Sequence, residues 1–315
     1  MTKNPTSGSI LVAPHQFPHL DREQALAKEF GLDLVAATDQ SSFSSAMPDA
    51  RIVMVTPYAK VTAEDFASLP ACEAVVRYGM GYDNIDVTAA AAAGIPVSIV
   101  PDASTDEVAS HAFAMGLALS RRLPQGHAAI RDGGWAGRIA YDAPKLTDLV
   151  IGIVGLGRIG RIVAASWSAV GARVHAYDPY TSLPDIPAAE LTRVLEESDV
   201  VSLHLPLTDE TRHLVSSDVL RRMRPGAAVV NVSRGGLVDE QALADALHSG
   251  HLSGAALDVF AQEPLPADHA LRDAPHLILT PHIAWRSTTS LGALQDGAVS
   301  RARRALAGEP LIDLV

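Results

Sequence analysis

The chain has 315 residues, 48% hydrophobic and 19% charged, enough for two cored domains at roughly 100–200 residues each. A formal net charge of −11 opposes broad contact with nucleic-acid phosphates or anionic lipid, and no run of Lys or Arg offers a local exception. The single cysteine, Cys72, excludes an internal disulfide and a cysteine-rich zinc site.

The apolar run Ile10–Ala13 is too short for a secretory or spanning segment, so a cytoplasmic protein without membrane contact is expected. Ser9–Ala13 reads as a strand, followed by a helix over Arg22–Phe30 with Asp21 as its cap. Strands are expected at Arg51–Val55 and Glu73–Tyr78. Asp86 opens an Ala-rich helix that Gly94 closes, and Ile95–Val100 is the next strand. Ser104–Glu107 has capping-box spacing and opens a helix to about Arg122.

A second series begins after the irregular, Gly-rich stretch 133–145. Strands are expected at Leu149–Val154, Arg173–Tyr177, Val200–Leu205, Ala227–Val232, Gly254–Val259 and Leu277–Thr280. Helices between them are expected at Arg158–Val170, near Ala188–Glu197, near Ser217–Met223, and from Asp239 to about Gly250; a last one runs from Ser287 to about Ala307. Strands alternating with helices imply parallel pairing, because a parallel neighbour requires a crossover. Pro101 marks the expected domain boundary.

Strand Leu149–Val154 runs directly into Gly155-Leu-Gly157-Arg-Ile-Gly160 and then a helix. This is the G-x-G-x-x-G arrangement in the context it needs. Gly155 permits the turn, Gly157 lets a pyrophosphate approach the backbone, and Gly160 lets helix and strand pack closely. Asp178 lies 18 residues after Gly160, near the spacing of roughly 20 expected for a ribose-binding carboxylate. Its charge would repel a 2′-phosphate, so NAD is favoured over NADP.

Three polar residues follow later strands: Arg234, Glu263 and His282. Ligands of doubly wound sheets sit beyond the carboxyl ends of strands. A histidine exchanges protons near neutral pH, a carboxylate orients its ring, and an arginine fork holds a carboxylate and polarises a carbonyl. Asp258 is a further candidate beside the nicotinamide. Each residue alone is as readily a surface or turn residue; their occurrence together behind a dinucleotide loop carries the reading. No H-E-x-x-H occurs, and His248 with His251, three apart near a helix end, is at most a ligand pair, so no metal is expected. No G-x-S-x-G nucleophile motif occurs.

Gly155–Gly160, Asp178, Asn231–Asp239, Gly254–Pro264 and Thr280–Ala284 together resemble the D-isomer-specific 2-hydroxyacid dehydrogenases, as does Arg77–Asp86. The resemblance runs from about Arg51 to the end and includes the phosphoglycerate dehydrogenase and C-terminal-binding-protein branches. It implies an α/β fold of two Rossmann-like, doubly wound parallel-sheet domains with an interdomain cleft. Residues 1–101 with 283–315 would form the substrate domain and 102–282 the NAD-binding domain. It implies Arg234, Glu263 and His282 as catalytic residues, and cofactor contacts from Gly155, Gly157, Arg158, Ile159, Gly160, Asp178, Leu205, Pro206, Thr211, Val232, Ser233 and Asp258. Substrate contacts would come from Arg77, Tyr78, Gly79, Met80, Gly81 and Trp285, with Arg77 and Trp285 at the substrate's far end.

The implied activity is NAD(H)-dependent interconversion of a 2-keto acid and a D-2-hydroxy acid. The implied partners are that small molecule and a second copy of the chain, joined through the NAD-binding domains and the 133–145 stretch. Lys60 alone is a thin phosphate site, and the end at Val315 leaves no appended regulatory domain to expect. An NAD-responsive scaffold on the same fold is the alternative, since fold does not fix function; it would not need His282.

Overall fold

The computed structural model describes residues 8–138 and 143–315. The chain divides into two compact units: residues up to Ser104 together with Arg286–Val315, and Thr105–Trp285. The divisions fall slightly beyond Pro101 and His282.

In the first unit, β1 (Ser9–Val12), β2 (Asp33–Ala36), β3 (Ala50–Val55), β4 (Ala74–Arg77) and β5 (Val97–Ile99) form a parallel sheet in the order β2-β1-β3-β4-β5. Helices α1 (Asp21–Phe30), α2 (Gln40–Ala46), α3 (Ala63–Ala67) and α4 (Val87–Ala93) make the crossovers. The Asp86 carboxylate accepts from the Ala89 N–H at the start of α4, and Gly94 ends it at φ +68°, a conformation cheap for glycine. Asp21 proves to be the first residue of α1, after an uncapped Leu20. Strand β2 and helix α2 were not anticipated: β2 is an edge strand with mostly exposed residues, so it lacks the apolar signature of its neighbours.

In the second unit, β6 (Val150–Val154), β7 (Arg173–Tyr177), β8 (Val200–Leu203), β9 (Ala228–Asn231), β10 (Gly254–Leu257) and β11 (Leu277–Leu279) form a parallel sheet in the order β11-β10-β9-β8-β6-β7. Its helices are α5 (Thr105–Ser120), α6 (Leu123–Arg131), α7 (Arg158–Ala169), α8 (Leu191–Glu197), α9 (Ser217–Arg222) and α10 (Glu240–His248). Alternate strand residues feed opposite faces. Ile151, Ile153, Val230 and Ala256 enter one core with α5 and α7, while Val154, Val229, Ala255 and Leu257 enter the other with α8, α9 and α10. This two-sided burial explains why the strands read as continuous apolar runs. Gly116 of α5 lacks the Cβ that would sit 2.9 Å from the ring of buried Trp167, which meets Phe113 edge-on at 5.0 Å.

Two helix boundaries differ from expectation. The helix from Thr105 ends at Ser120, because Arg122 takes φ +53° and the chain restarts as α6 with Pro124 in its first turn. The C-terminal helix, α11, runs over Ser290–Leu306; Ser287 instead accepts the Thr289 and Ser290 N–H groups ahead of it. Residues 139–142 of the expected dimer-contact stretch lie outside the described residues.

The chain leaves β6 for β7 on one side and returns to β8 on the other. This is a topological switch point, and it opens a crevice beyond the carboxyl end of β6.

Candidate active site

Gly155 follows β6 at that switch point with φ +97°, a backbone region that side chains rarely adopt. A Cβ there would lie 2.3 Å from the His204 carbonyl oxygen, and one on Gly160 would lie 1.9 Å from the Gly155 oxygen. These two glycines are therefore required for packing. Gly157 differs: a Cβ there would meet nothing within 4 Å. Gly157 opens α7 with no side chain capping it. First-turn N–H groups lack partners within their own helix and carry a partial positive charge. An uncapped helix start beside a bare glycine fits a pyrophosphate.

Asp178 follows β7. Its Oδ2 accepts the Leu156 N–H at 2.7 Å, and its Oδ1 accepts those of Tyr180 and Thr181 at 2.8 and 3.1 Å. The carboxylate is thus bonded to the glycine loop itself and retains an acceptor site on Oδ2 for a ribose hydroxyl. Arg158 and Ile159 form the first turn of α7. In the loop after β8, Thr211 Oγ1 donates to the Pro206 oxygen at 2.8 Å, and Leu205 packs on the core. After β9, Val232 is buried and Ser233 Oγ donates to the Leu203 oxygen at 2.8 Å, tying the two loops together.

His282 and Glu263 meet. Nδ1 of His282 lies 2.7 Å from Oε2 of Glu263, and Oε1 accepts the Phe260 N–H at 3.0 Å. A carboxylate only accepts, so Nδ1 carries the proton and Nε2 is left for chemistry. Burial alone would raise the Glu263 carboxyl; the His282 bond and charge, the Phe260 N–H and the Arg234 guanidinium outweigh it and hold the pKa below the ordinary glutamate value. Arg234 is half-buried, and its Nη1 donates to the Ser233 oxygen at 2.6 Å.

His282 has φ +53°, uncommon for a residue other than glycine. Asp258 supplies the force that holds it there. Its fully buried carboxylate accepts from Thr280 Oγ1 at 2.6 Å and from the Ile283 and Ala284 N–H groups at 2.9 and 2.8 Å, while its carbonyl accepts the His282 N–H at 2.8 Å. Trp285 donates its indole N–H to the His282 oxygen at 3.0 Å. Two contacts of this scaffold were not anticipated. Thr280 also meets His111 Nε2 at 3.2 Å, and Asn231 donates Nδ2 to the Arg234 oxygen at 2.8 Å. Asn231 ends β9 as a buried amide in an otherwise apolar strand, which is the signal that could have flagged it.

In the first unit, Arg77 is buried and its guanidinium donates to the Tyr78 carbonyl. The Tyr78 N–H donates to the Val55 oxygen at 2.9 Å, so it is spent within the sheet. Gly79, with φ +121°, then turns the chain toward exposed Met80 and half-buried Gly81. The Tyr78 hydroxyl donates to buried Glu23 at 2.9 Å.

His248 Nδ1 and His251 Nε2 face the carbonyls of Ala244 and Leu220. Among the described residues, no group of three or more His, Cys, Asp or Glu side chains is placed to hold a metal, and no helix is long and apolar enough to cross a membrane.

The sequence profile of the D-isomer specific 2-hydroxyacid dehydrogenase NAD binding domain matches residues 113–284. A D-3-phosphoglycerate dehydrogenase of Mycobacterium tuberculosis (strain ATCC 25618 / H37Rv) is 38% identical over 296 residues, covering 92% of this chain and 56% of that protein. The chain therefore spans about half the length of such curated relatives. Among solved structures, a protein of Thermus thermophilus is 32% identical with a TM-score of 0.87, covering 97% of this chain and 99% of that one. The D-lactate dehydrogenase of Aquifex aeolicus, solved with NAD and lactic acid, is 29% identical with a TM-score of 0.87, covering 96% of each chain. Profile match, identity and shared two-sheet architecture agree: the chain belongs to the D-isomer specific 2-hydroxyacid dehydrogenase family.

Proposed function

We propose that the chain is an NAD(H)-dependent oxidoreductase that interconverts a 2-keto acid and a D-2-hydroxy acid. The carrying observation is the 2.7 Å His282–Glu263 pair, with the Arg234 guanidinium acting on the same carboxylate.

Gly157 and the first turn of α7 would hold the pyrophosphate, Asp178 the adenosine ribose, and the 205–211 and 232–233 loops the rest of the cofactor. Bound there, the cofactor supplies or accepts a hydride at its nicotinamide. The chain's own groups manage the charge and the proton. Arg234 holds the substrate carboxylate and stabilises the negative charge that develops on the carbonyl oxygen. His282 gives that oxygen a proton from Nε2 in reduction and takes it back in oxidation. Glu263 keeps the ring oriented and stabilises the imidazolium. Trp285 is read as a flat wall for the substrate tail.

NAD is favoured over NADP because Asp178 is anionic and held by three backbone N–H groups. A homodimer is proposed through the second unit. Leu123 and Ile130 lie seven residues apart on one face of α6 and are 59% and 55% exposed, and Trp135 just beyond is 77% exposed. Such a cluster is costly to leave in water.

The test is a panel of glyoxylate, pyruvate, hydroxypyruvate, phenylpyruvate and phosphorylated keto acids, with NADH and NADPH in parallel. Turnover of any of them with NADH supports the reading. Tight NADH binding without turnover of any panel member would replace it with a dinucleotide-sensing scaffold.

A further inference from the structure

Glu240 is the first residue of α10 and only 8% exposed, a costly place for a carboxylate. It does not cap its helix, since Asp239 accepts the Ala242 N–H in that role. Both of its oxygens face elsewhere. Oε1 accepts the Ala261 N–H at 2.7 Å, and Oε2 lies 3.1 Å from Nε2 of His269. Nδ1 of His269 accepts the Leu271 N–H at 3.3 Å, which leaves Nε2 as the donor to Glu240. Glu263–His282 and Glu240–His269 are thus both imidazole–carboxylate pairs at hydrogen-bonding distance in the second unit.

The two pairs converge on two consecutive backbone N–H groups, those of Phe260 and Ala261. The Phe260 N–H goes to Glu263 and the Ala261 N–H goes to Glu240. The Phe260–Ala261 peptide between them backs directly onto the arginine segment: a Cβ on Gly235, next to Arg234, would lie 1.9 Å from the Phe260 carbonyl carbon and 2.2 Å from the Ala261 nitrogen. Val238 and Asp239 connect that segment to Glu240. Burial pushes the Glu240 carboxyl up while the Ala261 N–H and His269 pull it down, and the Glu263 charge adds a further upward push, so the two carboxylates feel each other.

We propose that Glu240, fixed by His269, is a positioning residue that sets the register between the Arg234 segment and the turn carrying Glu263, and so aims the Glu263–His282 pair. Neither residue touches substrate. Glu240 acts through the Ala261 N–H, and His269 holds Glu240 in the rotamer that reaches it. The proposal rests on the catalytic reading above. Small displacements of reacting groups are costly, on the order of 100-fold for about 1 Å.

The experiment compares the wild type with Glu240→Gln, Glu240→Asp and His269→Asn. Glu240→Gln keeps the reach and an acceptor for Ala261, whereas Glu240→Asp keeps the charge but falls short. The expected order of kcat is wild type, then Glu240→Gln, then Glu240→Asp, the last down by about 10–100-fold. His269→Asn is expected to fall between the wild type and Glu240→Asp. KM for the keto acid and the dissociation constant of NADH should change by no more than about twofold, because neither binding surface is altered. A crystal structure of Glu240→Asp should show the Glu263–His282 separation open beyond roughly 3.5 Å.

The proposal is overturned if Glu240→Asp retains kcat per folded site within about twofold of the wild type. It is also overturned if the crystal structure keeps the Glu263–His282 contact intact. A wild type that turns over no keto acid, together with an opened contact in Glu240→Asp, leaves the positioning role standing and defeats the catalytic reading. Should Glu240→Asp not fold, Glu240→Gln and His269→Asn decide: a kcat at the wild-type level in both defeats the proposal.

Discussion

Nδ1 of His282 and Oε2 of Glu263 lie 2.7 Å apart, and the carboxylate's other oxygen is held by the Phe260 N–H. The glutamate is therefore anchored independently of its histidine. His282→Ala should lower the rate of keto-acid reduction by roughly 10²–10⁴-fold, the usual cost of losing a general acid. Glu263→Gln should lower it by roughly 10–1000-fold, since the ring loses both its orienter and the charge that stabilises imidazolium. NADH affinity, followed by fluorescence titration, should be unchanged in both. Activity of His282→Ala near the wild-type level would remove His282 from the chemistry.

Asp178 combines two tasks, bracing the glycine loop through Leu156 and offering its remaining acceptor site to a ribose. Asp178→Ala should raise KM for NADH by about tenfold or more while narrowing the preference against NADPH, because the repulsion of a 2′-phosphate is gone. Steady-state kinetics with both cofactors read this directly. An unchanged NADH-to-NADPH ratio would show that selectivity lies elsewhere.

The sequence was most informative where one residue type answers one geometric demand. Gly155 and Gly160 were legible because no other residue fits against the His204 and Gly155 carbonyls. Asp86 and Gly94 were legible because caps are local chemistry. Edge strand β2 was not, because exposure removes the apolar run that marks its neighbours. The anchoring of the 280–284 segment by Asp258 and the grip of Glu240 on Ala261 were also not legible. Each joins a side chain to a backbone N–H about 20 residues away or more, and no periodicity encodes such a pairing. For the same reason the spent Tyr78 N–H could not be foreseen, since only the register of β3 against β4 reveals it.

His204 makes a pH prediction. Burial lowers its pKa to about 3, and the half-buried side chain places Nε2 on Ser202 Oγ at 2.8 Å. In the unfolded chain a histidine titrates near 6.5. The native imidazole therefore stays neutral where the unfolded one gains a proton. Its contribution to stability is complete above about pH 6.5 and is lost as pH falls from there toward about 3, at up to ~1.4 kcal/mol per pH unit. Denaturant unfolding at several pH values should show this slope in the wild type and a shallower one in His204→Gln. Equal slopes in the two proteins would show that His204 does not drive acid destabilisation.

Gly157 and Gly160 separate cofactor binding from folding. A Cβ on Gly160 collides with the Gly155 carbonyl, so Gly160→Ala should destabilise the second unit by about 1–3 kcal/mol or more, as overpacking of a close contact does. A Cβ on Gly157 meets no protein atom within 4 Å. Gly157→Ala should therefore leave the melting temperature within about 1–2 °C of the wild type, in keeping with a substitution outside the packed core. Its cost should appear at the cofactor: NADH affinity should fall by about tenfold or more, because the methyl group occupies the approach to the helix N-terminus. Thermal melts paired with NADH titrations test both variants. If Gly157→Ala bound NADH as tightly as the wild type, the space above Gly157 would not be the pyrophosphate's, and the cofactor placement argued from it would fail.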